Sequence, residues 1–465
     1  MKKYLTRGRP LKRGMLLVLL GLGLLLGIRH MDSRGWIPMD KARLPYLQQV
    51  SGDRAIIAWR TSTRFIGVPR IEWQLLGDAA DGSQQVHVVE GETVPSRYGE
   101  DYLDHHVVLD RLPHRTEIQY RASNGDLSVA SGQFRSAPTV DQDGPLRIWA
   151  LGDSGTGGPV QYEVRDSMVE FLGDTPLDLM LHVGDMAYSR GRDGEFSARF
   201  FRPYRDILSS IACWPAPGNH EMKSSTSVDQ AGPYFEAYLL PTAGQCGGVA
   251  SGTEAYYSFD YGPVHFISLD SSGDAIDPAG PMMKWLEADL AQTDSMWIIA
   301  FFHHPPYSFG SHRSDSFQDS EGRLVKMREV AVPILEAGGV DLVLAGHSHI
   351  YERSGLIQGV HGYGESVDHP VPATEVLRSD GKIIRWEGER YWTEDGGGTV
   401  YAVVGHGGGH VKKTGDHPVM VKSEAVFGSA LITIDSDQLQ MENVRSDGEV
   451  TDRIIIDRSP GLPGK

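Results

Sequence analysis

From Leu44 to Ala137 apolar and polar positions alternate over short runs, the period of strands with one buried face. Six runs carry the pattern: Ala55–Trp59, Arg70–Leu75, Gln85–Val89, Asp104–Leu109, Glu117–Ala122 and Gly132–Arg135, separated by Gly, Pro, Asp and Asn. Six or seven short strands over residues 44–137 predict a β-sandwich. Thr139–Pro145 (TVDQDGP) is a polar linker, and the pattern changes beyond it. Apolar runs at Leu146–Leu151, Leu177–Val183, Ile211–Pro217, Met296–Phe302 and Val340–Ala345 have the length of buried strands. Helical spacing fills the gaps at Val160–Leu172, Phe196–Leu208, Met282–Ala291 and Leu324–Ala337. The first of these aligns Val160, Val164, Met168, Phe171 and Leu172 on one face, and the last stops at Gly338-Gly339. Strands alternating with helices predict a layered α/β domain over residues 145–458. Tyr256–Asp270 has the pattern of a hairpin in the same sheet system, and four β runs follow Thr399. Gly355–Gly398, rich in Gly, His and charge, is expected to be a long surface excursion. No internal repeat is present.

The N-terminus has a different character. Residues 1–13 are basic, and Met15–Ile28 is an unbroken apolar run. That run is shorter than the roughly 20 residues a spanning helix needs, and it matches the hydrophobic part of an export signal. No A-x-A-like site follows, only Arg29-His30-Met31-Asp32, so residues 1–30 are expected to be either a signal peptide or an uncleaved signal anchor. The body is then extracytoplasmic: periplasmic, secreted or tethered to the membrane by this segment. Cys213 and Cys246 fit a disulfide in such a compartment, the alternative being two unpaired buried thiols. Neither lies in a metal-binding spacing.

Acids outnumber bases by 61 to 44, a formal charge of −17. Seven of the bases lie in residues 1–30, where there is no acid, which leaves 61 against 37, or −24, on the body. Affinity for nucleic acid comes from a broad basic face, and none can be built here. An anionic substrate would need local positive charge, for which a metal ion is the obvious source.

Each of the five apolar runs ends in a polar cluster. In order these are Gly152-Asp153-Ser154-Gly155, Gly184-Asp185-Met186-Ala187-Tyr188, Gly218-Asn219-His220-Glu221, His303-His304-Pro305-Pro306-Tyr307 and Gly346-His347-Ser348-His349. In open α/β sheets ligands bind beyond the carboxyl ends of the strands, so the clusters should converge on one crevice. Two aspartates, an asparagine, a tyrosine and three or more histidines form a mixed O and N donor set that suits Zn, Mn or Fe better than Ca or Mg. Seven donors exceed one tetrahedral site and suit two adjacent ions, which a carboxylate such as Asp185 can bridge. Glycine ahead of four clusters would let the backbone turn sharply off the strand. His105-His106 in the sandwich point to opposite faces of a strand and are expected to be ordinary. His87, His114, His182, His265, His361, His369 and His417 are expected to be structural or solvated.

At these residues the sequence resembles the calcineurin-like metallophosphoesterases, whose blocks are G-D-x-G, G-D-x-x-x, G-N-H-E, a strand-end histidine and G-H-x-H. Tyr188, three residues after Asp185, narrows the resemblance to the purple acid phosphatases. Gly346–Arg353 (GHSHIYER), Tyr257–Asp270 and Pro45-Tyr46-Leu47-Gln48 extend it over residues 44–456. The resemblance implies a fibronectin type III-like sandwich ahead of an αββα catalytic domain. It implies that Asp153, Tyr188 and His349 hold a ferric ion, that Asn219, His303 and His347 hold a divalent ion (Fe, Zn or Mn), and that Asp185 bridges them. His303 is preferred to His304 because the family's donor directly follows the apolar strand. His220 and His312 match positions where the family keeps histidines facing phosphate, although Ser308–Arg313 departs from the Asn-rich stretch of the plant enzymes.

The implied activity is hydrolysis of phosphate monoesters of the acid phosphatase type. A metal-bound hydroxide would be the nucleophile, and His312 or His220 would protonate the leaving group. Two rivals remain at this level: a phosphodiesterase or phosphotriesterase with a Zn/Mn centre, and an exported binding protein with a degenerate catalytic domain. His406 and His410, in a Gly-rich loop after a strand, are candidates to line the crevice. The sandwich is open to three roles: spacer, surface for a homodimer, or glycan-binding module.

Overall fold

The computed structural model describes residues 42–76, 85–141, 144–273, 276–362, 375–377, 383–387, 390–392 and 398–458. The expected export segment, residues 1–30, lies outside them. No helix among the described residues is long and apolar enough to cross a membrane.

The first unit has eight strands: β1 (Arg43–Gln48), β2 (Arg54–Ser62), β3 (Pro69–Leu75), β4 (His87–Glu90), β5 (Glu92–Pro95), β6 (Tyr102–Asp110), β7 (Glu117–Asn124) and β8 (Leu127–Arg135). Pairing gives one antiparallel layer ordered β1-β2-β6-β5 and another ordered β4-β3-β7-β8. Ile57, Trp59, Val107 and Leu109 from the first layer meet Ile71, Trp73, Ile118 and Tyr120 from the second in one core. In β7 the alternation is complete, with Ile118, Tyr120 and Ala122 buried and Gln119 and Arg121 exposed. His105 is buried between the Thr61 and Thr93 hydroxyls (2.7 and 2.8 Å), an ordinary strand histidine as expected.

The second unit continues with β9 (Leu146–Leu151), α1 (Pro159–Leu172) and β10 (Leu179–His182). Helix α2 follows, assembled from Asp193–Phe196, a π turn at Ser197–Phe201 and Arg202–Leu208, and then β11 (Ala212–Pro215). Strands β12 (Tyr257–Tyr261) and β13 (Val264–Ser268) form the expected hairpin, followed by α3 (Pro281–Leu290) and β14 (Trp297–Phe302). Helix α4 joins Arg323–Lys326 to Val332–Ala337 through a second π turn at Met327–Ala331. The chain closes with β15 (Leu342–Ala345), β16 (Tyr351–Ile357), β17 (Glu375–Leu377), β18 (Ile383–Glu387), β19 (Arg390–Trp392), β20 (Thr399–Val404), β21 (Met420–Glu424), β22 (Gly428–Ile434), β23 (Gln438–Arg445) and β24 (Val450–Asp457).

The five site strands divide between two sheets, as the expected αββα arrangement requires. Strands β9, β10 and β11 run parallel in a sheet with β22, β23 and β24, whereas β14 and β15 sit in a second sheet ordered β12-β13-β14-β15-β20-β16-β21. The two sheets pack face to face: the Trp214 ring on β11 stacks on Phe259 of β12 at 3.6 Å, and Tyr257 Oη donates to Pro215 O at 2.8 Å. Two expectations need correction. Cys213 and Cys246 are both free; Cys213 is buried in the sheet core, and the Cys246 thiol faces the Gln49 carbonyl instead. Secondly, the excursion within Gly355–Gly398 carries regular structure in its described part: β17, β18 and β19 extend the first sheet, with β19 parallel to β24. The parallel pair β1–β11, registered at Leu47 and Ala212, makes the sandwich layer continuous with that sheet.

Candidate metal centre

The carboxyl ends of β9, β10, β11, β14 and β15 bring all seven donors into one cluster, with Tyr188, Asn219 and His349 half-buried and the other four buried. Asp153 and Asp185 are enclosed, and with His303 they present ligand atoms within 4.8 Å of one another. The donors fall into two groups. In the first, Tyr188 Oη lies 3.0 Å from Asp153 Oδ1 and 3.0 Å from His349 Nε2, and His349 Nε2 lies 3.3 Å from Asp153 Oδ1. In the second, Asn219 Oδ1 lies 2.9 Å from His303 Nε2 and 3.1 Å from His347 Nδ1, and those two nitrogens are 3.2 Å apart. Asp185 approaches the second group, with Oδ1 3.5 Å from His303 Nε2.

Hydrogen bonding behind the rings decides which nitrogen faces inward. His303 Nδ1 donates to Val183 O at 2.9 Å, so Nε2 carries the lone pair. That lone pair faces two further acceptors, Asn219 Oδ1 and Asp185 Oδ1. Acceptors aimed at one another from three side chains are what a bound cation would satisfy, so the residues fit a metal. His349 repeats the arrangement, its Nδ1 on His410 O at 3.2 Å. Burial raises the Tyr188 phenol well above its ordinary value, and the charges of Asp153 and Asp185 add to the effect. His304 is buried beside the site, its ring 4.3 Å from that of His347 and its Nδ1 3.0 Å from Ser271 Oγ.

The expected role of the glycines changes. Of the four that precede the clusters, only Gly184 has positive φ (95°). The sharp turns are made by the donors themselves, with φ of 56° at Asp153, 59° at Asp185 and 63° at His347, a left-handed region that non-glycine residues rarely occupy. Glycine is needed for close approach. A Cβ at Gly218 would sit 2.3 Å from Asp185 Oδ1, and one at Gly346 would sit 2.5 Å from Asp153 Oδ2.

The two histidines expected to face phosphate border the two groups separately. His220 packs edge-on against Tyr188 (4.5 Å), with Nε2 3.9 Å from Asp185 Oδ2. His312 stacks on His347 at 3.9 Å and 24°. His406 does not line the crevice; it is fully buried and bonded through Nε2 to Asn443 Oδ1 at 2.9 Å, while His410 contributes its carbonyl to His349.

Four residues that the sequence did not single out complete the site. Buried Glu221 accepts the backbone N–H groups of Asp185 (2.7 Å), Ala187 (3.1 Å) and Gly218 (3.0 Å), tying the second cluster to the third. Lys223 is exposed at the mouth, its Nζ 3.1 and 3.2 Å from the His220 ring nitrogens. Asp319 and Ser320 reach in from the segment before α4 and touch His312 and His347. Glu221 stood inside a quoted motif, but nothing in residue type marked Asp319.

A calcineurin-like phosphoesterase family profile matches residues 146–351, the stretch that carries all nine expected site residues. The chain contains a calcineurin-like phosphoesterase domain. The chain is 30% identical over 309 residues to purple acid phosphatase 23 of Arabidopsis thaliana, covering 60% of this chain and 62% of that one. It is 28% identical over 298 residues to a phosphoenolpyruvate phosphatase of Allium cepa, covering 62% and 58%. The match thus spans about three fifths of the length of these curated relatives. A solved purple acid phosphatase from yellow lupin superposes with a TM-score of 0.68 at 20% identity, over 89% of this chain and 74% of that one. The phosphoesterase domain and the sheet unit before it therefore have the purple acid phosphatase fold.

Proposed function

We propose that this chain is a dinuclear-metal hydrolase of phosphate monoesters, of the acid phosphatase type. The observation that carries the proposal is the pair of donor groups, one holding the only phenol of the cluster, with Asp185 beside them. Asp153, Tyr188 and His349 would hold a ferric ion, and Asn219, His303 and His347 a divalent one, with Asp185 between. Two ions so held supply Lewis acidity towards the phosphoryl group and lower the pKa of water towards neutrality. A phenolate donor favours ferric iron at the Tyr188 group.

The chain's own residues then bind and deliver protons. Ser189 O accepts from His220 Nδ1 at 2.8 Å, which turns Nε2 of that ring towards Asp185 and the crevice. Beside it Lys223 brings a positive charge to a molecule that is otherwise acidic, and together they bind the phosphoryl oxygens. His312 at the other end protonates the ester oxygen as the P–O bond breaks, a general-acid contribution typically worth 10²–10⁴-fold. The basic and apolar N-terminal pattern supports an extracytoplasmic location, checked by cell fractionation.

Metal analysis joined to two reporter esters tests the reading. The expected result is about two ions per chain, one of them iron, a visible charge-transfer band, and faster turnover of p-nitrophenyl phosphate than of bis(p-nitrophenyl) phosphate. Preference for the diester would make the protein a phosphodiesterase, and a chain that takes up no Fe, Zn or Mn would end the hydrolase reading. Asp185→Asn is expected to lose metal and activity together.

A further inference from the structure

Asp319 lies outside the strand-end clusters, in the segment leading into α4, yet it is an inner link of a hydrogen-bonded chain that runs from His312 through Asp319 and Ser320 to His347. Its Oδ1 is 2.7 Å from His312 Nδ1, and a carboxylate only accepts, so Nδ1 carries the proton and Nε2 is left free. Oδ2 accepts the backbone N–H of Arg313 at 2.8 Å, which fixes the carboxylate plane. Ser320 donates its one hydroxyl proton to Asp319 Oδ1 at 2.8 Å. The same hydroxyl oxygen lies 2.6 Å from His347 Nε2 and, having given its proton away, must accept from that nitrogen. His347 therefore holds its proton on Nε2 and turns its Nδ1 lone pair towards Asn219 and His303. Ser320 and Glu321 sit at φ of 48° and 58°, a region non-glycine residues rarely occupy, so the segment is held in place to make these contacts.

We propose that Asp319 is the positioning residue of this centre, setting the tautomers of two stacked histidines at once. Directly it presents His312 Nε2 to the leaving group; through Ser320 it presents His347 Nδ1 to the divalent ion. The inference rests on the phosphatase reading for its kinetic consequence only. In the step concerned, a water oxygen bonds to phosphorus as the P–O ester bond breaks. For this step His312 is the imidazolium: Nδ1–H stays hydrogen-bonded to Asp319, the second proton, on Nε2, passes to the departing oxygen, and the proton given up by the attacking water restores it. An alkoxide or phenoxide of high pKa needs that proton most.

The test uses the full chain loaded with zinc, with histidine ¹⁵N NMR and two monoesters of different leaving group. The wild type is expected to show His312 as the Nδ1–H form and His347 as the Nε2–H form. Asp319→Asn should shift His312 away from Nδ1–H, lower kcat for phenyl phosphate about tenfold, and lower kcat for p-nitrophenyl phosphate much less, with KM unchanged. His312→Ala should show the same leaving-group dependence, and the double variant should be no worse than His312→Ala. Ser320→Ala should instead weaken retention of the divalent ion about tenfold, and Asp319→Glu should recover part of the lost rate. Unmoved tautomers in Asp319→Asn, or equal slowing of both esters, would overturn the proposal. If the tautomers respond while neither ester is hydrolysed by the wild type, the positioning holds and the phosphatase reading falls.

Discussion

Glu221 does no chemistry in the site, yet three backbone N–H groups of two clusters depend on its carboxylate. Removing it in Glu221→Ala strands three buried donors, each worth about 1–3 kcal/mol. The loops bearing Asp185, Tyr188 and Asn219 should then separate, so the variant is expected to lose most of its metal by elemental analysis and to unfold at lower temperature. Full metal content in the variant would show that the strand ends alone hold the loops. The contrast with the donors is instructive. Asp153, Asp185, Tyr188, Asn219, His303, His347 and His349 could be picked out because metal chemistry selects particular side-chain atoms at strand ends. Glu221 and Asp319 act by accepting hydrogen bonds, a task any carboxylate can perform, so only their place in space reveals it. The glycines are needed for close approach more than for turning, because Asp153, Asp185 and His347 themselves take the left-handed backbone.

At the scale of elements, the apolar runs identified the strands but not which sheet each joins. A buried parallel strand has the same pattern in either sheet, and the partition follows from pairing, as when β12 and β13 lead β14 into the second sheet. Residue chemistry reappears here in His265 of β13, which is buried between Asp260 of β12 (2.6 Å) and Asp289 of α3 (2.9 Å). Burial alone would lower its pKa, but hydrogen bonds to the two carboxylates outweigh that and push it up to about 9. A group raised from 6.5 in the unfolded chain adds stability that is complete below pH 6.5 and lost as pH rises through 9. The loss is on the order of 2–3 kcal/mol. Urea unfolding at pH 6 and pH 9.5 should show a stability loss smaller by about that much in His265→Gln than in the wild type. An equal loss in the two proteins would mean that His265 is neutral in the folded protein.

Across the whole molecule, the polar linker marked where one pattern ends and another begins, but not that the two units share a sheet. A single parallel pairing, Leu47 with Ala212, makes the join, and a strand edge left open for it has no sequence signature. Charge closes the same boundary. Asp193, at the start of α2, accepts from Arg43 of β1 at 2.7 Å and from Arg60 of β2 at 2.5 Å, and Arg60 also holds Asp104 of β6 at 2.6 Å. Both guanidinium groups and Asp193 are almost wholly removed from water. Deleting one member of such a network leaves the others charged, buried and underpaired, at a cost on the order of 3–5 kcal/mol. Because that cost falls on the contact between the units and not within either core, it should alter cooperativity as well as stability. Calorimetry of the wild type is therefore expected to give one unfolding transition, and Asp193→Ala two, the sandwich melting first. A single transition in Asp193→Ala, merely shifted to lower temperature, would assign the coupling to the shared sheet and leave the buried charges with only a local role.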